Sequence, residues 1–497
     1  MRKKLNSLTP FFSLMIGLIL SQILATIQVY LSNNALYDRM AAIRDAGYLT
    51  VPNAHVMGRL HQLTPAFFGG LFFTFSVGAG VSLFSFALAW IWHRLFYRKP
   101  FFTYFFLLLW LGVLAALNFD GFNLFVTLYF VIIPPVVFAA ASKNMSHRNE
   151  QNRRPAEIFH LIPIAVLAIF LAWQIDSRMF TDFRDVYLLS NPVGSRINKF
   201  YYTYTLYPAE VFKSLSQKTL KTAIIENKKS TATSMLENIL LRNDYLPIGS
   251  DTDADLKVVP EENDFIFKNH DCPVLRISSK NFFADPHKAI IEFEQKSDRW
   301  ALFRKITFLS LLTGFPLAIY IIAQALFSIL LGFFINLRTA SLIATTLCFV
   351  LCLIFLFSFH ISRSREVSER NLTEALNSAR WQDRVAALKI IDENASEIKR
   401  FAAYPSLLKS KNIAARYWFV RTLANSRNPE TYANLLSFLN DRHPNVASMA
   451  LYALGKRGNK QAIGKIMQLM ETSDNWYLQW YAYRALRELG WRQTKLN

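Results

Sequence analysis

Val446-x-x-x-Ala450-x-x-Ala453-Leu454 is one of four copies of a single pattern in the C-terminal quarter of the chain. The others are Asp383-x-x-x-Ala387-x-x-Ile390-Ile391, Ala415-x-x-x-Phe419-x-x-Thr422-Leu423 and Leu478-x-x-x-Ala482-x-x-Ala485-Leu486. In chain order the blocks start 32, 31 and 32 residues apart. A second register, Leu376, Leu408, Leu439 and Met470, precedes them at spacings of 32, 31 and 31. Two apolar stripes per unit predict stacked helix pairs, because a lone pair cannot bury its own apolar face. The pattern therefore predicts an all-α solenoid of about four repeats over 362–497.

The third unit reads Asn440-Asp441-x-x-Pro444-x-Val446 and ends Ala453-Leu454-Gly455. In these residues the chain resembles the HEAT-repeat family in its short bacterial, PBS-lyase-type form, over roughly 371–491. The resemblance implies a solenoid that serves as a binding surface for other proteins. It implies no reaction, and it does not extend to the rest of the chain.

Upstream the composition changes. Mean hydropathy is positive, 43 residues are Phe, and seven apolar runs approach the length a helix needs to cross a bilayer: 11–31, 67–92, 101–118, 123–142, 158–175, 306–335 and 340–360. The first follows Arg2, Lys3 and Lys4 but lacks a small-x-small cleavage site, so it reads as a signal anchor. The expected fold is a polytopic α-helical membrane protein with a small α+β domain outside the membrane and a C-terminal HEAT-like array. Its parts are 1–175 with five spans, the external domain 176–304, two further spans in 305–361, and the repeats.

Basic residues fix the expected orientation. Arg2, Lys3, Lys4, Arg94, Arg98, Lys99, Lys143, Arg148, Arg153, Arg154 and Arg338 all fall on one side of a seven-span arrangement. The opposite side has Arg39, Arg44 and Arg59 in the 32–66 loop and no basic residue in the Asn118–Phe122 turn. The N-terminus is then cytoplasmic, and the middle domain and repeats are periplasmic in a bacterial inner membrane. Arg363, Arg365 and Arg370 run against this scheme. The net charge of +20 is largely those cytoplasmic flanks, and the 22 Lys and Arg against 12 Asp and Glu in 362–497 read mainly as solvated helix faces. Nothing in it points to nucleic acid.

The apolar runs hold almost no ionisable group, which argues against an ion-coupled carrier, whose path needs buried charge. Gln22, Gln28 and Gln324 read as hydrogen-bond glue between helices. Gly70, Thr74, Gly78 and Ser82 form one small-residue stripe that predicts a centrally packed span, with homo- or hetero-oligomer contacts through it as an option. Pro134-Pro135 and Pro316 predict kinks. The 32–66 loop, with His55 and His61, reads as a helix on the lipid surface.

In 176–304, Asp182–Leu189 and Ser230–Arg242 read as helices, and Leu256–Val259, Phe265–Phe267, Val274–Ile277 and Ala289–Phe293 as strands. The run Phe200-Tyr201-Tyr202-x-Tyr204-x-x-Tyr207 reads as interfacial packing. No nucleotide-binding, nucleophile-elbow or metalloprotease motif occurs. His270, His287, Asp271, Asp285 and Cys272 are the one grouping with metal-site chemistry, and Cys348 and Cys352 lie inside an apolar run. No cofactor or metal is expected, and an enzyme is the less favoured reading.

The leading function is a membrane-anchored scaffold that binds a protein partner through its repeats. A transporter subunit and an envelope enzyme acting on lipid or glycan are the alternatives. Candidate partner-binding residues are Trp476, Tyr477, Trp480, Tyr481 and Tyr483 in the last repeat. A terminal unit has a neighbour on one side only, so these rings either cap the open end or form an aromatic hot spot.

Overall fold

The computed structural model describes residues 9–146, 154–226, 231–249, 253–363 and 367–495. The basic residues Arg2, Lys3, Lys4, Arg148, Arg153 and Arg365 lie outside them. Among the described residues six helices are long and apolar enough to cross a membrane: α1 Thr9–Asp45, α2 Leu63–Arg94, α3 Pro100–Leu117, α4 Leu124–Ser146, α9 Ala301–Leu331 and α10 Leu337–Arg363. The remaining run, 158–175, falls on α5 Arg154–Trp173, whose apolar portion Leu161–Trp173 packs beside α10.

The expected surface helix in the 32–66 loop is instead a continuation of α1. At a rise of about 1.5 Å per residue its length is roughly 55 Å, about 25 Å more than a hydrocarbon core. Leu36, Met40 and Ile43 are buried on the extension, so apolar packing outside the bundle keeps the helix wound. The stripe on α2 packs against α1. A Cβ on Gly78 would stand 2.1 Å from Ser21 Oγ, and one on Gly70 3.1 Å from the Thr26 backbone nitrogen. The face offered to an oligomer by the sequence is thus filled within the chain. Thr74 donates to Gln22 Oε1 at 2.7 Å, and Gln22 donates to the Phe67 carbonyl at 2.9 Å, so Gln22 joins α1 to α2. Gln324 does the same for α9 and α10 through Ser341. Helices α4 and α9 continue through Pro134-Pro135 and Pro316, and the irregular turn is a π-helical one, Thr74–Gly78, in α2.

After α5 come the short turns Met179–Phe183 and Arg184–Leu188, then α6 Pro192–Tyr204. A mixed five-stranded sheet follows, ordered β2-β1-β3-β4-β5. Its strands are β1 Lys221–Ile225, β2 Tyr245–Pro247, β3 Leu256–Pro260, β4 Asp264–Asn269 and β5 Cys272–Ser278. Parallel pairing joins β1 to β2 and β3, and the rest is antiparallel. Two helices, α7 Thr231–Arg242 and α8 Pro286–Lys296, complete its core. The expected strand Ala289–Phe293 lies in α8: Asp285 caps the helix by accepting from the Lys288 N–H, and Ala289, Ile290 and Phe293 share its buried face. Strand β1 carries no polar–apolar alternation to mark it in the sequence, because it is central and wholly buried. Asp255 ties this sheet to the α1 extension, 3.2 Å from Arg39 and 2.6 Å from Lys218. Burial alone would raise its carboxyl, but Lys218 and Arg39 outweigh that and hold it below the usual carboxylate range.

The C-terminal part is four stacked helix pairs: α11 Leu372–Asn377 with α12 Trp381–Glu393, α13 Tyr404–Leu408 with α14 Ile413–Thr422, α15 Pro429–Ser437 with α16 Pro444–Arg457, and α17 Ile463–Thr472 with α18 Trp476–Glu488. The second helices carry the recurring block. Ala387, Phe419, Ala450 and Ala482, at one register position, are all fully buried. Backbones approach closely where the small residues sit: a Cβ on Gly455 would be 3.1 Å from Ala485 Cα.

Candidate interaction site on the repeat array

The second helices α12, α14, α16 and α18 line the inner face of the array, and a segment of the same chain, residues 182–207, runs along all four. Lys389 on α12 donates to Asp182 Oδ1 at 2.8 Å and stands 3.3 Å from Asp185 Oδ2. Trp418 on α14 donates its indole N–H to that same Asp185 oxygen at 2.7 Å. Asn198 donates to Asn445 Oδ1 at the start of α16 at 2.7 Å. At α18, the Tyr202 ring lies 4.4 Å from Tyr477 and the Tyr207 ring 5.2 Å from Trp476.

The charges in this contact are buried and paired. Asp185 is 1% exposed, accepts from Arg184 at 2.7 Å, and Arg184 stacks 3.9 Å over the Tyr417 ring. A buried guanidinium is tolerated when a carboxylate and a ring face both meet it. Arg363 at the end of α10 joins Asp176 and Asp182, which fixes the array where it leaves the bundle of long apolar helices. Gly194 makes the path of the segment feasible: a Cβ there would be 1.7 Å from the Tyr187 carbonyl oxygen.

The far end of the array, expected to be open, is covered by the chain itself. The backbone N–H of Asn53 donates to Gln479 Oε1 at 2.9 Å, while its amide nitrogen lies within 3.0 Å of the carbonyls of Met470, Glu471 and Ser473. Gln493 exchanges hydrogen bonds with the Leu49 backbone. Tyr483 donates to Asp244 Oδ1 at 2.6 Å, and Arg487 stands 3.0 Å from the same atom.

The five aromatic candidates separate accordingly. Trp476 and Tyr483 are buried against Tyr207 and Asp244, and Tyr477 packs on Tyr202. Trp480 and Tyr481 are half-buried neighbours, with Arg484 over the Trp480 ring at 4.8 Å. Asp182, Asp185, Asn198, Asn53, Trp418 and Gln479 were not singled out in the sequence. A signal existed for Trp418: Tyr417 and Trp418 are adjacent on one helix, so both cannot point into the solenoid core.

His270, His287 and their neighbours do not converge. His270 Nδ1 lies 3.1 Å from Asp253, His287 Nδ1 3.3 Å from Asn243, Asp271 pairs with Lys257 and Asp285 caps α8. Among the described residues no group of three or more His, Cys, Asp or Glu could hold a metal ion.

The family model for HEAT repeats matches residues 402–487. That stretch of the chain is a HEAT-repeat module, the class of array associated with protein–protein interaction. No curated protein and no solved structure matches the chain.

Proposed function

We propose that this chain is a membrane-anchored scaffold of the bacterial cell envelope that presents a HEAT-repeat array to a protein partner. One observation carries the reading: each repeat touches the chain's own segment 182–207, so the array is held in a fixed pose against the membrane block. A binding module oriented this way by buried ion pairs has the build of a presenting surface. It divides into a membrane domain 1–175, an external domain 176–304, two spans in 305–361 and the repeats in 362–497.

Seven spans are supported by parity. Asn53, between α1 and α2, and Asp244, between α5 and α9, both contact the last repeat. Segments in contact outside a bilayer share a side, so an even number of crossings must separate them. Helices α2, α3 and α4 make three, and α5 supplies the fourth. The distribution of Lys and Arg then favours a cytoplasmic N-terminus and a periplasmic array.

The test uses the full chain in its native membrane with a photo-crosslinking residue in place of Trp480 or, as a control, of the apolar-face residue Leu108. Reproducible protein adducts at Trp480 alone are the expected result. Equal adducts at both positions, or none at Trp480, would remove the scaffold reading.

A further inference from the structure

The inner helices carry one further register. Lys389, Arg421, Tyr452 and Arg484 occupy the same position in four successive repeats, spaced 32, 31 and 32 residues apart. Helices packed side by side are about 10 Å apart, so these side chains form a ladder with rungs at about that interval. The first rung is filled by carboxylates from outside the array, Asp182 and Asp185. Arg421 is held by Asp392 at 2.7 Å, between the rings of Trp418 and Tyr452. The last rung differs. Arg484 is exposed, lies over Trp480, and makes no ion pair among the described residues. Lys456, exposed beside Tyr452 at 5.4 Å, likewise makes no ion pair among the described residues, and Asp392 acts on it only from longer range. Burial and then Tyr417 push the Tyr481 hydroxyl up to about 12, while Arg184, Arg484 and Arg421 all pull it down, so three guanidiniums converge on one phenol.

We propose that the open end of this ladder, Arg484 and Lys456 with the rings of Trp480 and Tyr452, binds an acidic, extended segment of a partner protein. The occupant is argued from the filled rung: the chain's own Asp182 and Asp185 show peptide carboxylates seated on Lys389. In the extended polyproline II conformation three residues make one turn at about 3.1 Å each, so carboxylates three residues apart share a face at about 9 Å, close to the spacing of neighbouring repeat helices. Charge-assisted bonds to Lys and Arg beside aromatic faces are strong enough to select such a segment. This rests on the scaffold reading and adds the chemistry of the partner.

The experiment uses the full chain in nanodiscs of zwitterionic lipid. Probes are a labelled Ser peptide with Asp at every third position and its Asn counterpart, followed by fluorescence anisotropy. The Asp peptide should bind and weaken with salt, the Asn peptide should not bind, Arg484→Gln or Lys456→Gln alone should weaken binding about tenfold, one charge-assisted contact's worth, and the double variant more than either. Both side chains are exposed, so an unchanged melting midpoint checks that the variant is folded. Equal binding of the two peptides, or by the variant, overturns the proposal. If nanodiscs containing anionic lipid abolish peptide binding in the wild type, the ladder is a headgroup site and the proposal also falls. Persistence of the Trp480-position adducts in the double variant would leave the scaffold standing with another partner chemistry. Their absence in both forms would remove the scaffold itself.

Discussion

Asp185 is the residue whose loss should be felt most widely. Its carboxylate meets Arg184, Lys389 and the Trp418 indole within 3.3 Å. Asp185→Ala should leave the Arg184 guanidinium buried without its partner and cost about 3–5 kcal/mol. Thermal unfolding of the detergent-solubilised chain measures this, and limited proteolysis should show the array released from the membrane block. An unchanged midpoint would mean the pair carries no docking energy. Gly194→Ala acts through space instead of charge, since its methyl would collide with the Tyr187 carbonyl oxygen. A loss of about 1–3 kcal/mol is expected in the same assay. Neither residue could be picked out of the sequence. Asp185 reads as a juxtamembrane acid like many others, and its importance comes from a Lys and a Trp more than two hundred positions away. The five aromatic residues were conspicuous for the opposite reason, because aromatic density is a local property. What those rings face is not local, and most face the chain's own middle segment.

Among elements, the repeat helices were legible to the residue because their period is set by nearest-neighbour packing. Ala450, Ala453, Ala482 and Ala485 are all buried, and α16 and α18 come close at Ala485, whose Cα lies 3.1 Å from where a Cβ on Gly455 would stand. Ala482→Leu should overpack that contact and lower stability by about 1–3 kcal/mol, read from the melting midpoint of the full chain. Helix α16 also holds a pH response at its start. The His443 imidazole is kept below its ordinary value, by partial burial first and by Arg416 beside it. The unfolded chain therefore takes up the proton first. Stability contributed here is complete above the free imidazole value of about 6.5 and is lost as pH falls through the folded value. Acidification from about pH 7 to pH 5 should lower the midpoint of the array, and His443→Gln should flatten that slope. An identical slope in the variant would assign the acid response to other groups. The middle domain was the least legible part. Helix α8 reads as a strand in the sequence because four of the five residues in Ala289–Phe293 are apolar, and only the Asp285 cap reveals the helix.

At the scale of the molecule, the long apolar helices were visible as apolar runs, whereas the course of α1 beyond its apolar stretch was not, since polar residues alternate with the buried Leu36, Met40 and Ile43. The seven-span arrangement predicts that a reporter active only outside the cytoplasm works when fused after Asn497 and stays silent at Asn149. Activity at Asn149 with silence at Asn497 would invert the orientation, and the same signal at both would break the parity. The self-contact of segment 182–207 has a further thermodynamic meaning. Because this segment belongs to the same chain as the array, its local concentration at the inner face is set by the fold and does not fall when the protein is diluted. A diffusing competitor resembling 182–207 would have to bind far more tightly than the segment does to displace it. The surface this segment covers, on all four repeats, is therefore closed to soluble rivals by entropy as well as by contact, and traffic with other molecules is directed to what it leaves exposed, Arg484 on the last repeat and Lys456 on the third.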